Sequence, residues 1–119
     1  MKIKIHSIVN KGNLDKELIW LQVLEDVSDL SYYMVCDSTY TKDDHLSNEH
    51  RHAYWFPPRA LKKGDWIALR TKDGTNGKES NNQNTTTHNF YWRLGRTIWN
   101  KDGDCAVLFQ LTTWEAMRA

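Results

Sequence analysis

The stretch from His88 to Leu108 reads His-Asn-Phe-Tyr-Trp-Arg-Leu-Gly-Arg-Thr-Ile-Trp-Asn-Lys-Asp-Gly-Asp-Cys-Ala-Val-Leu. Two aromatic-rich extended segments flank Asn100-Lys101-Asp102-Gly103, four residues of turn-forming types. Asn and Asp tolerate the left-handed backbone region and Gly enters it without steric cost, so the chain can reverse here. Beyond the turn, residues 105–109 form an apolar run long enough for one buried strand. Trp99, directly before the turn, is predicted to be a core side chain.

The rest of the chain contains further short segments with strand patterns. Residues 2–9 alternate apolar and polar side chains, which predicts a half-buried first strand. Residues 18–24 are almost continuously apolar, which predicts a central strand. Further strands are predicted at residues 32–37, 52–56, 65–71 and 110–115. No helical period of 3.6 is present, and many short strands separated by turn signals favour an all-β sandwich or barrel.

Two polar segments interrupt this pattern. Ser38 to Arg51 is acid-rich and is interpreted as a loop that crosses from one sheet to the other. Residues 72–88 contain almost no apolar side chain. Such a segment has few groups to bury, so it is predicted to be a mobile loop, of which folding does not require Thr75 to Thr86.

Composition places the chain among single-domain globular proteins. It has 119 residues, of which 39% are hydrophobic and six are Trp. The net charge of +1 gives no expectation of a strongly polyanionic partner, although residues 51–101 carry ten Lys and Arg against three Asp and Glu. No apolar run suits a signal peptide or a membrane span, so we expect a cytoplasmic protein without membrane association. Cys36 and Cys105 are expected to be reduced thiols, with a disulfide between the sheets as the alternative.

Four runs of residues occur in a characteristic order. They are residues 29–37 (Asp-Leu-Ser-Tyr-Tyr-Met-Val-Cys-Asp), 52–57 (His-Ala-Tyr-Trp-Phe-Pro), 61–64 (Leu-Lys-Lys-Gly) and 91–104, where Tyr-Trp precedes Ile-Trp-Asn-Lys-Asp-Gly-Asp. In this order they resemble four motifs of the lamin-tail domain family: an Asp-Leu-Ser-Gly-Trp strand, a His-x-Tyr-x-Phe-Pro run, a Leu-x-Pro-Gly turn and a Tyr-Trp … Val-Trp-Asn-Asn-x-Gly-Asp signature. The chain departs from these motifs at Tyr33, where Trp is usual, and at Lys63, which replaces the turn proline.

The resemblance implies that residues 1–119 form one immunoglobulin-like antiparallel β-sandwich, in a family that also occurs as a bacterial module. The positions that match the family's structural motif are Tyr54, Phe56, Trp92, Trp99, Gly103 and Asp104. The family has no catalytic constellation to carry over. Its members serve as interaction modules for proteins and sometimes for DNA.

Candidate chemistry in the sequence is sparse. One alternative is a metal site formed by His45, His50 and His52, which lie among carboxylates. His50 and His52 would share a face of an extended chain and could bind the same metal ion. The preferred interpretation is that His52 has a structural role and that the other residues of this cluster belong to a solvated loop. No metal or other cofactor is therefore expected. The sequence contains no nucleophile elbow, phosphate-binding Gly-rich loop, HExxH or CxxC. We therefore expect a protein that is not an enzyme.

Two binding functions remain. The preferred prediction is a non-catalytic module that binds another protein through exposed aromatic side chains such as Trp55 or Tyr40. The alternative is a nucleic-acid-binding module that uses the basic segment 51–101. Its proposed contacts are Arg70, Arg93, Arg96 and Lys101, beside Trp92 and Trp99. The sequence predicts neither the identity of a partner nor the oligomeric state.

Overall fold

The computed structural model describes residues 1–100 and 103–119. Within them the chain forms strands and one 3-10 turn at Leu30–Tyr32, where the Asp29 side chain caps the turn by accepting the Ser31 N–H. The strands are β1 (Ile3–Val9), β2 (Leu18–Val23), β3 (Tyr33–Thr39), β4 (Ala53–Trp55), β5 (Trp66–Arg70), β6 (Gly77–Ser80), β7 (Thr86–Tyr91) and β8 (Asp104–Gln110). The fold is nearly all β, as the sequence predicts. No helix in this part of the chain is long and apolar enough to cross a bilayer.

One sheet contains five strands in the order β1-β2-β5-β7-β6. Its first strand pairs with β2 in antiparallel register, from Ile3 opposite Val23 to Val9 opposite Leu18. The register shifts between Ile5 and Ser7, a bulge that places His6 as an extra residue. The prediction that residues 18–24 form a central strand is confirmed, because β2 lies between β1 and β5.

Two sequence predictions are corrected in this sheet. The sheet is not wholly antiparallel, because β5 and β7 pair in parallel, from Trp66 opposite Thr87 to Arg70 opposite Tyr91. Residues 72–88 are not a structureless loop, because they contain β6 and the start of β7, which pair antiparallel. The two corrections share a cause. A parallel pair needs a crossover of about a dozen residues or more, and the polar segment supplies it while adding an edge strand.

The second sheet contains three strands in the order β4-β3-β8. Since β3 and β4 are neighbours here, the segment from Ser38 to Arg51 does not cross between sheets, contrary to the sequence interpretation. Its ends continue the ladder, with the Asp37 N–H donating to the His52 carbonyl at 3.1 Å. The apolar run 105–109 does form a strand, but β8 is a partly exposed edge and not a buried strand. No strand follows Gln110 in the described residues, so the predicted last strand at 110–115 is wrong.

The core lies between the two sheets, which gives a β-sandwich-like architecture. The five-stranded sheet contributes side chains such as Ile19, Ile67 and Phe90, and the other sheet contributes Tyr33 and Val35. Trp99 is 1% exposed, so its side chain lies in the core, as predicted. The predicted turn at 100–103 lies partly outside the described residues. Gly103 has a φ of 87°, which suits glycine.

Candidate functional site

The predicted binding residues do not form one surface. Trp55 is 47% exposed on the three-stranded sheet. Arg70 ends β5 in the other sheet, and Arg93 and Arg96 are exposed in the segment after β7. Arg96 lines a cavity of about 450 Å³ together with Asp37, Arg51, His52 and Asp104, among others. Lys101 lies outside the described residues.

The aromatic side chains of the nucleic-acid alternative are not available to a ligand. Trp92 is 9% exposed and Trp99 is 1% exposed, and the two rings pack against each other with centroids 6.1 Å apart. Phe56 is 2% exposed and the Tyr54 ring packs against it at 5.1 Å. Bases cannot stack on rings that already fill the core. The motif aromatics are therefore structural in this fold.

The three candidate histidine ligands occupy different environments. The His52 Nδ1 lies 3.2 Å from the carboxylate of the buried Asp37, and its backbone N–H donates to the same carboxylate at 2.6 Å. The His50 ring packs against Phe109, and His45 is exposed in the loop. Across residues 1–100 and 103–119, no group of three or more His, Cys, Asp or Glu side chains is placed to share a metal ion. The structure does not bring His45, His50 and His52 together in such a group.

Three exposed aromatic rings form a continuous surface, which we call the aromatic triad. It consists of Tyr32, Trp55 and Trp114, whose exposed fractions are 42%, 47% and 45%. The Trp114 ring lies edge-on to both others, with centroid distances of 5.3 Å to Tyr32 and 4.9 Å to Trp55. The Trp55 Nε1–H donates to the Ser31 carbonyl at 2.7 Å, which fixes the orientation of the indole. The triad thus exposes aromatic surface to solvent, with the Trp55 ring held in one orientation.

The triad adjoins a partly apolar sheet face. Trp55 pairs with Met34 across β4 and β3, and Met34 pairs with Phe109 across β3 and β8. Met34, Val107 and Phe109 are all only partly buried. Since side chains opposite one another in a ladder share a face, Trp55, Met34 and Phe109 continue as one apolar strip across the three strands.

Tyr40, the other aromatic candidate, lies at a different place. It is 50% exposed and lines a groove of about 450 Å³ at the sheet edges, with Leu24, Leu46 and Leu108 among its neighbours. Strands β1 and β8 are the edges that meet there. Trp55 does not line this groove, and Tyr40 makes no ring contact with the aromatic triad among the described residues.

The five-stranded sheet carries a third feature that the sequence did not reveal, a cleft of about 290 Å³ that we call the indole cleft. Trp20 and Trp66 stand at 87° to each other with centroids 6.1 Å apart, and His6 lies edge-on to Trp66 at 5.0 Å. Among the described residues, the cleft is lined by His6, Trp20, Trp66, Asn81, Asn82, Gln83 and Thr87. The bulge in β1 places His6 here, and alternation along β5 directs Trp66 away from the core.

The loop beside the indole cleft is held in one conformation by Asn81. Its side-chain oxygen accepts the N–H groups of Gln83 at 3.0 Å and Thr85 at 3.1 Å. Its side-chain nitrogen donates to the hydroxyls of Thr85 at 2.9 Å and Thr87 at 3.2 Å. The Trp66 Nε1–H donates to Gln83 Oε1 at 2.7 Å, which ties the loop to β5. This part of the polar segment is therefore an ordered wall of the cleft.

A buried polar network supports the same hairpin from the core side. The His88 Nε2 lies 3.0 Å from Asp65 Oδ2, and its Nδ1 lies 3.3 Å from Arg59 Nη1. Since arginine only donates, Nδ1 accepts and Nε2–H donates, so the imidazole is neutral and its contact with Asp65 is not an ion pair. Burial, opposed by Asp65 but aided by the Arg59 charge, lowers the pKa of His88. Burial acts to raise the pKa of Asp65, but hydrogen bonds from Lys62, His88 and Thr86 outweigh it and lower the pKa.

Cys105 lines the groove beside Tyr40, and neither cysteine belongs to the aromatic triad or the indole cleft. Both Cys36 and Cys105 are free thiols. Burial raises the pKa of each thiol, and the neighbouring carboxylates Asp37 and Asp104 add to the effect at Cys36 and Cys105, respectively. A raised pKa disfavours the reactive thiolate, so neither residue has the character of a nucleophile.

Comparison with known proteins gives no match to a protein-family model, to a curated protein or to a solved structure.

Proposed function

We propose that the protein is a non-catalytic module that binds another protein through the aromatic triad. The observation that carries this proposal is the contact between three large rings that each remain exposed by more than two fifths, with fractions of 42%, 47% and 45%. Exposed apolar surface of this kind is uncommon on a protein without a partner. Trp and Tyr are also the residue types most enriched at the energetic centres of interfaces.

The chemistry of the triad defines the partner surface. The Trp55 indole N–H is already satisfied by Ser31, so the partner gains nothing by offering an acceptor there. The strip through Met34 and Phe109 extends the contact over all three strands of the sheet. A partner with a flat apolar patch, contacted at the rim by polar side chains, would fit this face best.

We further propose that the sandwich is the immunoglobulin-like fold of the lamin-tail family. The burial of Phe56, Trp92 and Trp99 supports this, because these are the positions that match the motifs. The parallel pairing of β5 with β7 is a departure from a purely antiparallel sandwich. The two free thiols support a reducing compartment, and we propose the cytoplasm.

Site-directed photo-cross-linking tests the binding proposal. A p-benzoylphenylalanine replaces Tyr32, which keeps an aromatic ring at this position of the triad, and in a matched control the same group replaces Gln22 in β2 of the opposite sheet. In host lysate we expect a cross-linked protein from the Tyr32 position and not from the Gln22 position. Cross-links that also form a dimer of the chain would identify the partner as a second copy.

Two further variants test whether the cross-link depends on the triad. Trp55→Ala should abolish the cross-link from the Tyr32 position, whereas Trp66→Phe on the other sheet should leave it intact. Circular dichroism confirms that both variants fold. Cross-linking that survives Trp55→Ala, or that is equally strong from Gln22, contradicts the proposal.

Nucleic-acid binding is the second candidate, supported by one local cluster of charge. The Arg93 N–H donates to the Lys72 carbonyl at 3.3 Å, and the Trp92 N–H donates to the Arg70 carbonyl at 2.7 Å. The side chains of Arg70, Lys72 and Arg93 are therefore attached to neighbouring points of the backbone, where β5 and β7 end. Such a cluster could contact phosphates, but the burial of Trp92 and Trp99 leaves it without the stacking rings that single-strand binding uses.

A further inference from the structure

We propose that the indole cleft binds the ring of a neutral sugar. This site is separate from the aromatic triad, since it lies on the five-stranded sheet and the triad lies on the other. The volume of about 290 Å³ is just below the range of drug-sized ligand pockets, which measure about 300 to 1,000 Å³. A single sugar ring, free or within a longer chain, is a ligand of suitable size.

The walls of the cleft match the two kinds of surface on a pyranose. Two indoles at 87° provide apolar walls for the C–H faces of the ring. The amides of Asn82 and Gln83 provide donors and acceptors for the hydroxyls at its rim. A ligand that fits must therefore combine apolar faces with polar groups around the edge, as a pyranose does.

The charge of the lining residues distinguishes between neutral and charged ligands. None of the residues that line the cleft is Lys, Arg, Asp or Glu, and His6 is the single titratable lining residue in the described chain. A phosphate or carboxylate would enter without a fixed counter-charge, and burying an unpaired charge is costly. A neutral ligand avoids that cost, which favours an uncharged sugar over a nucleotide or a uronic acid.

The polar groups of the cleft are also available. Gln83 uses its side-chain oxygen to accept the Trp66 N–H, and among the described residues its amide nitrogen makes no hydrogen bond. Asn82 likewise has a free side-chain amide within this part of the chain. Asn81 takes part in the fixing of the loop instead. Because the loop is already ordered, little conformational entropy is lost when a ligand binds.

The test follows the indole N–H resonances of the uniformly labelled protein by NMR during titration. The probes are hexasaccharides of glucose, mannose and N-acetylglucosamine, with adenosine, cytidine and an apolar tripeptide amide as competing classes. Each is added to about 10 mM, which detects millimolar dissociation constants. Trp20→Phe and Trp66→Phe variants assign the two resonances. We expect at least one hexasaccharide to shift both resonances and to saturate.

Matched variants then connect the binding to the cleft. Trp66→Ala should weaken the affinity at least about tenfold, and Gln83→Ala should also weaken it. Trp55→Ala, an exposed Trp on the other sheet, should leave the affinity unchanged. Three results overturn the proposal: no hexasaccharide shifts the two resonances, only a nucleoside or the peptide does, or the affinity survives Trp66→Ala in a variant whose circular dichroism is native.

Discussion

The carboxylate of Glu17 accepts the backbone N–H of Trp99 at 3.4 Å, across 82 positions of sequence. The same carboxylate accepts the Ile98 N–H at 3.1 Å, the Thr71 hydroxyl at 2.6 Å and the Gly12 N–H at 3.0 Å. Glu17 is 1% exposed, so the contacts form inside the protein. One buried acid thus fixes the loop before β2, the end of β5 and the backbone on which the core residue Trp99 is mounted.

Trp99→Ala should strongly destabilise the fold. Truncation of a buried Trp removes its packing and leaves a cavity, which costs about 3 to 5 kcal/mol. The indole Nε1–H has no partner among the described residues, so the loss comes from ring contacts. Urea denaturation followed by circular dichroism measures the change. Trp114→Ala, which removes an exposed Trp, is the control and should cost far less; equal stability of the Trp99→Ala protein and the wild type would contradict the core assignment.

Glu17→Ala should lower the free energy of unfolding by more than about 3 kcal/mol, because it leaves several buried donors without an acceptor. Glu79→Ala is the matched control. Glu79 is exposed on β6 and accepts one long hydrogen bond, from Asn89 at 3.4 Å, so its loss should change stability by less than about 0.5 kcal/mol. Similar midpoints for the two variants in urea would show that the Glu17 network is not important for stability.

His88 should make the fold sensitive to mild acid. The pKa of His88 is lowered in the folded protein, so the folded state disfavours the proton that the unfolded state takes up below about pH 6.5. Stability is therefore complete above that pH and is lost as the pH falls through the lowered pKa. Asp65, whose pKa is also lowered, adds a loss at more acidic pH.

Urea titrations between pH 7.5 and pH 5 measure this dependence. His88→Gln should flatten the fall in unfolding free energy over this range, even though it lowers stability at every pH. His6→Gln, at an exposed position, should keep the wild-type slope. An unchanged slope in His88→Gln would assign the acid sensitivity to other groups.

Asn81→Ala should destabilise the β6–β7 hairpin, because the side chain makes hydrogen bonds to Gln83, Thr85 and Thr87. The expected loss is about 1 to 3 kcal/mol. Asn82→Ala is the neighbouring control and should be near neutral. Hydrogen-exchange rates of the β7 amides measure the loss of stability in this hairpin. Equal exchange in both variants would mean that the loop does not depend on Asn81.

Structural features that depend on a few neighbouring residues can be predicted from the sequence, whereas those that depend on distant partners cannot. Strand β1 and the buried Trp99 follow from alternation and from one motif, both of which operate over a few residues. The composition of residues 72–88 wrongly predicts a structureless loop, because this segment is ordered by contacts with residues distant in the sequence. Gly74 lies against the Tyr91 ring, where a Cβ would clash, and the Asp65 carboxylate accepts the Thr86 N–H at 3.2 Å.

The indole cleft could not be predicted for the same reason. Trp20 and Trp66 are 46 positions apart in the sequence, and they meet only because β2 and β5 pair with Trp20 opposite Ala68 and Gln22 opposite Trp66. In the structure Trp66 is only partly buried, whereas Ile67 and Leu69 are buried. The placement of Gln83 over it required the β6–β7 hairpin, which composition alone did not indicate.

The protein should bind DNA weakly and only at low salt. The net charge is +1, and the aromatics beside Arg93 and Arg96 are buried, so phosphate contacts would act alone. Each phosphate contact on a duplex contributes a log–log salt slope of about −0.9, so an affinity built on a few arginines falls steeply towards physiological salt. Fluorescence anisotropy with a duplex and a single strand, at rising salt, measures this. An Arg93→Ala, Arg96→Ala double variant tests the cations, and a Trp55→Ala variant is the control. Micromolar binding that persists at physiological salt and is lost in the double variant alone would make nucleic acid, and not another protein, the preferred partner.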